Sequence, residues 1–101
     1  MANTKYRMNT EEAARNRGAA GDYVKMLRLE AGLTQRELAV GLNLPYYTFI
    51  SQVETGKARV PPEAMKAWAK QLKKDTRVFA KDLLRWYDPH MYRALFDNSK
   101  R

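Results

Sequence analysis

Over most of this chain, apolar positions fall at steps of three and four, the spacing that gathers side chains on one face of an α-helix. Tyr23, Val24, Leu27 and Ala31 form the first set. With Asp22 as N-cap and Gly32 as stop, they predict a helix over 23–31. Leu38, Ala39 and Leu42 form the second set. Thr34 stands three residues ahead of Glu37, the spacing at which each side chain satisfies the other's backbone amide, so a helix is predicted over 35–42. Asn43 closes it, and Leu44-Pro45 turns the chain because proline disfavours helical geometry in the residue before it. A third helix follows over 46–54, with Phe49, Ile50 and Val53 as its apolar positions and Thr55-Gly56 as its end.

Past the basic loop Lys57 to Pro61, Pro62-Glu63 suits a first helical turn, where proline loses no hydrogen bond and an acid complements the helix dipole. Met65, Trp68, Ala69 and Leu72 line that helix. Asp75-Thr76 interrupts, and Phe79, Leu83 and Tyr87, four apart, predict a fifth helix over 77–87. Asp88-Pro89 breaks again before Met91, Tyr92, Leu95 and Phe96, which suggest a short sixth. No segment alternates with the period of two that a half-buried strand needs. The expected fold is all-α, a small bundle of five to six helices.

Three segments are expected. Residues 1–21 hold no sustained apolar pattern and end in Gly18-Ala19-Ala20-Gly21, which reads as a flexible arm, although Thr10 with Glu11 and Glu12 suits the start of one short helix. Residues 22–74 form the main domain, and 75–101 form a C-terminal helical extension. At 101 residues a second independent core is not expected.

Composition narrows the chemistry. There is no cysteine and one histidine, His90. Thiolate zinc sites, disulfides and a histidine-based triad are therefore not expected, nor is any cofactor, metal or catalytic residue. The polar start has no signal-peptide core, and no apolar run reaches the length of a membrane span, so a reduced, cytoplasmic protein with no membrane partner is expected, lying on the nucleoid when bound to DNA. The net charge of +8 points to a polyanionic partner. Residues 61–101 carry ten basic and five acidic side chains, against five and four over 22–60. Whatever the middle of the chain does depends on particular groups and not on bulk charge. Lys66, Lys70, Lys73, Arg77, Lys81 and Arg85 recur at helical steps, a pattern that fits a solvated face or, as the alternative, additional phosphate contact.

Two short helices joined by a tight turn, with Ala39 small enough for close approach, meet the physical requirements of a helix-turn-helix. The stretch Leu27-Arg28-Leu29-Glu30-Ala31-Gly32-Leu33-Thr34-Gln35-Arg36-Glu37-Leu38-Ala39, followed by Ile50-Ser51-Gln52-Val53-Glu54-Thr55-Gly56-Lys57, resembles the Cro/repressor-type, or XRE-like, helix-turn-helix family over about residues 22–74.

The resemblance implies a lambda-repressor-like DNA-binding domain whose third helix enters the major groove of double-stranded DNA. It places Tyr46, Tyr47, Thr48, Ser51 and Gln52 at base edges, and Thr34, Gln35, Lys57 and Arg59 at phosphates. This chain is one residue longer than the usual pattern between Gln35 and Glu54, with the insertion near Pro45-Tyr46-Tyr47. Counting back from Glu54 turns Tyr47, Thr48 and Gln52 outward; counting forward from Gln35 favours Tyr46, Tyr47 and Ser51. The apolar pair Ile50 and Val53 favours the backward count. Arg28 and Glu54 match the positions of a partly buried ion pair that is structural and does not touch DNA.

Trp86, Tyr87, Met91, Tyr92, Leu95 and Phe96 load the chain end with apolar surface, which either folds back or meets a second subunit; a homodimer contact is expected. The function these features suggest is a sequence-specific transcriptional regulator, a repressor acting as a dimer on a palindromic operator, and not an enzyme. The alternative is an antitoxin or adaptor whose C-terminal aromatic segment binds a protein partner.

Overall fold

The structure, a computed structural model, describes residues 10–97. They form six α-helices and no strand: α1 (Thr10–Glu30), α2 (Gln35–Gly41), α3 (Thr48–Glu54), α4 (Met65–Gln71), α5 (Thr76–Tyr87) and α6 (Pro89–Phe96), with a 3-10 turn at Pro62–Ala64 leading into α4. Helix α1 packs on α3 and α5, α5 also packs on α4 and α6, and α2 lies against α3. Among the described residues, no helix is long and apolar enough to cross a membrane.

The largest departure from expectation is α1. It starts at Thr10 and runs unbroken through the boundary expected at residue 22. Residues 10–21 are therefore helix and not a loose arm, while the expected arm's Lys5 and Arg7 lie outside the described residues. The reason is steric. Ala20 and Gly21 are buried, and a Cβ built on Gly21 would lie 2.3 Å from the Glu54 carbonyl oxygen. The small residues that suggest a loop by composition are the surface across which α1 and the end of α3 make close contact. Arg17 Nε adds a 3.0 Å hydrogen bond to the Gly56 carbonyl.

The other ends follow local chemistry. Gly32 takes φ 76° and closes α1, its amide reaching the Leu29 carbonyl while Leu33 N–H reaches Arg28. Thr34 and Glu37 form the reciprocal cap expected of them at the start of α2. Asn43 adopts φ 59° after α2, and Asp75 caps α5 by accepting from Val78 N–H.

The core is one cluster. Val24, Leu38, Ile50, Val53, Val60, Trp68, Phe79 and Leu83 are its largest fully buried side chains, each contributing roughly 1.5–3 kcal/mol by leaving water. Aromatic contacts stitch its two ends: Phe49 meets Trp68 edge-on at 6.2 Å, and Tyr23 lies 5.3 Å from Trp86. Phe79, Leu83 and Tyr87 bury one stripe of α5 as their spacing predicts.

The C-terminal aromatic set divides accordingly. Tyr87 is 6% exposed and accepts a hydrogen bond from Val60 N–H at 3.2 Å, while Trp86 packs against the core. Tyr87 is thus part of the domain's own interior, and Trp86 is half-buried against it. Met91, Leu95 and Phe96 on α6 remain exposed, and half-buried Tyr92 lies 5.2 Å from Phe96.

Candidate nucleic-acid interface

The turn between α2 and α3 fixes what α3 presents. Leu44 N–H reaches back to the Ala39 carbonyl and Asn43 N–H to Val40, which closes α2. Pro45 and Tyr46 then remain outside helical structure, and Tyr47 is the N-cap of α3. The extra residue is thus absorbed in the turn. Helix three begins at Thr48 and not at Tyr46, because the turn takes up Pro45 and Tyr46 and leaves Tyr47 as the N-cap.

From Thr48 onward the register is unambiguous. Ile50, Val53 and Glu54 are buried, and Thr48, Gln52 and Thr55 are exposed. Thr48 and Gln52, four apart, therefore share one outward face, with half-buried Ser51 at its edge and Tyr47 at its start. This is the register obtained by counting back from Glu54. Tyr46, at 74% exposure, stands in the turn and not on the helix. The Arg36 guanidinium lies over the Tyr47 ring at 5.2 Å, which puts a cation from α2 beside the start of α3. Sequence reasoning passed over Arg36, whose only signal is its position directly after Gln35.

At the other end of α3, Gly56 takes φ 82°, and Lys57 N–H bonds to the Gln52 carbonyl at 2.8 Å. The Lys57 side chain is exposed, so it extends the polar face of α3 by one positive charge. No acid is exposed on α3, because its one carboxylate, Glu54, is turned inward.

Beneath this face sits the ion pair. Arg28 Nε donates to Glu54 Oε2 at 2.6 Å and its Nη2 to Oε1 at 3.1 Å, a two-point contact between side chains 7% and 3% exposed. A third Arg28 nitrogen donates to the Leu33 carbonyl at 2.8 Å. The pair ties α1 to the last turn of α3 and leaves no buried polar side-chain atom without a partner among the described residues. Gln35 joins it, its Nε2 donating to Glu54 Oε1 at 3.0 Å. One of the two Gln35 amide hydrogens is so committed, leaving one as a donor for a phosphate.

Two further residues expected at phosphates, Thr34 and Arg59, also make contacts within the domain. Thr34 uses its hydroxyl to accept from Glu37 N–H at 3.0 Å, so it shapes the start of α2. Arg59 is drawn to the end of α5, where it bonds Asp88 at 2.9 Å and covers the Tyr87 ring at 4.5 Å.

A helix-turn-helix family model matches residues 24–79, more than half of the chain. The chain belongs to the Cro/XRE-type helix-turn-helix family. The match takes in the last turns of α1, all of α2 to α4 and the first residues of α5. This XRE-type chain is a DNA-binding transcription regulator, and α3 is the second helix of its helix-turn-helix. No curated protein matches it closely enough to count as a relative.

Proposed function

We propose that this regulator is a repressor that binds a palindromic operator as a homodimer. The carrying observation is the division of α3 into a buried side of Ile50, Val53 and Glu54 and an exposed side of Thr48 and Gln52. Gln52 presents an amide able to pair two-fold with adenine in the major groove. Tyr47 and Thr48 precede it on the same surface, with Tyr46 and Ser51 at its margins. Lys57 and the remaining amide hydrogen of Gln35 hold phosphates on either side, with Arg36 as an added cation. The dimer uses α6, where Met91 and Leu95, 54% and 61% exposed and four residues apart, form an apolar face suited to a two-fold contact. The cytoplasm is the compartment in which such a regulator meets its operator.

The test is anisotropy of the full chain with duplex DNA from upstream of its own gene, against a shuffled duplex, at two salt concentrations. Specific repression requires a preference of about 10³-fold or more that survives the higher salt. Sedimentation of the free protein and its Leu95→Glu variant tests the dimer: the variant sediments as a monomer where the parent does not. Equal, salt-labile binding to both duplexes would remove operator recognition from this reading.

A further inference from the structure

The helix-turn-helix accounts for one side of the molecule and leaves a second concave feature unused. Between α4, α5 and α6 lies a groove of about 370 Å³, within the range of small-molecule sites. Its floor is apolar, built from Val60, Met65, Leu83, Leu84 and Tyr87, and no residue of α2 or α3 lines it. Its rim is cationic. Arg77 and Lys81, one helical turn apart on α5, both border it and both are exposed. Asp88, the one acid on the rim, is already held by Arg59 at 2.9 Å. Arg77 makes no ion pair among the described residues. Lys81 has its ammonium 4.5 Å from the Phe96 ring centre, so the last turn of α6 leans over the same opening.

We infer that this groove is a binding site for a small amphipathic carboxylate, its apolar body on Met65, Leu84 and Phe96 and its carboxylate between Arg77 and Lys81. The charge pattern selects this occupant. An uncharged apolar molecule leaves the two cations without a counter-ion, and a cationic one is repelled by them. A carboxylate pairs with both while its tail covers a floor with no unsatisfied polar side-chain atom. The inference does not depend on operator recognition, because none of the residues it uses belongs to the DNA-facing set.

The test is a titration of the isotopically labelled full chain with octanoate, followed by backbone amide shifts. Saturable shifts at Val60, Ala80, Leu84 and Tyr87 are expected. Octanamide, which has the same tail without the charge, binds at least roughly tenfold more weakly, and Arg77→Gln with Lys81→Gln weakens octanoate by a similar factor. Both substitutions are on exposed side chains, so the fold survives them. A Leu84→Trp variant fills the groove and abolishes the shifts. Equal binding of octanoate and octanamide overturns the inference, as does the absence of saturable shifts. Groove shifts that follow protein concentration and not octanoate also overturn it, since they identify a second copy of this chain as the occupant.

Discussion

Gln35 donates to the same Glu54 oxygen that Arg28 Nη2 reaches, at 3.0 Å and 3.1 Å. The first residue of α2, the core of α1 and the last turn of α3 thus converge on one buried carboxylate. A residue assigned to phosphate binding by resemblance is also a strut between the two helices of the motif.

Loss of the carboxylate should be the costliest polar substitution in this domain. Glu54→Gln leaves the Arg28 guanidinium buried without its counter-ion, and a loss of about 3–5 kcal/mol of stability is expected, read from the midpoint of urea unfolding. Gln35→Ala removes a single hydrogen bond at a half-buried position, for about 1 kcal/mol. A Gln35→Ala variant that loses DNA affinity in excess of what its unfolded fraction explains identifies the second amide hydrogen as a phosphate donor.

The approach of α1 to α3 gives a second prediction. A Cβ at Gly21 would meet the Val53 and Glu54 carbonyls at 2.6 and 2.3 Å, backbone atoms that cannot rotate away. Gly21→Ala should cost about 1–3 kcal/mol by overpacking, although alanine is the better helix former. Gly18→Ala on the same helix, where a Cβ meets nothing within 4 Å, should be stabilising by about 0.5–1 kcal/mol. Thermal melts of the two variants should move in opposite directions.

Base and phosphate contacts separate in their dependence on sequence and salt. Gln52→Ala should cost about 1–3 kcal/mol on the operator and little on shuffled DNA. Lys57→Ala should weaken both duplexes alike and lower the slope of log affinity against log salt by about one. Anisotropy at three salt concentrations distinguishes them. Arg59→Ala, whose charge is engaged by Asp88, should leave the slope unchanged.

Two tyrosines make the fold sensitive to alkali. Tyr23 and Tyr87 are both held above the ordinary phenol value of 10.0, chiefly by burial, with the Tyr23 hydroxyl also donating to the Asp82 carboxylate. Below that value both phenols are neutral in the folded and unfolded chain, and their contribution is complete. Above it the unfolded chain releases its phenolic protons first, so stability falls as pH rises past about 10. Tyr87→Phe loses the acceptor for Val60 N–H, about 1 kcal/mol at neutral pH, and should flatten the alkaline decline seen in unfolding midpoints between about pH 9 and 11.

Much of this was legible in the residues. The reciprocal Thr34 and Glu37 cap declares itself by spacing, and Ile50 with Val53 fixes the face of α3 despite the inserted residue. What hydropathy does not register is small size. Gly18 to Gly21 reads as a break because glycine and alanine carry little apolar signal, yet Ala20 and Gly21 are buried in the helix and the close backbone approach requires Gly21. The contacts of Arg59 and Tyr87 are hidden for a related reason, since the partners that engage them, Asp88 and Val60, stand 29 and 27 residues away. Local spacing carries no information about a contact made that far along the chain.

The continuity of α1 sets the size of the packed unit. The family match begins at residue 24, but Arg17, Ala20, Gly21 and Tyr23, in contact with Gly56, α3, α5 or the core, precede it. It ends at residue 79, ahead of buried Leu83 and Tyr87. A fragment trimmed to the shared motif would thus expose both ends of its own interior. The stretch matched by the family model and the stretch packed into one interior are different objects, the second reaching at least from Arg17 to Asp88.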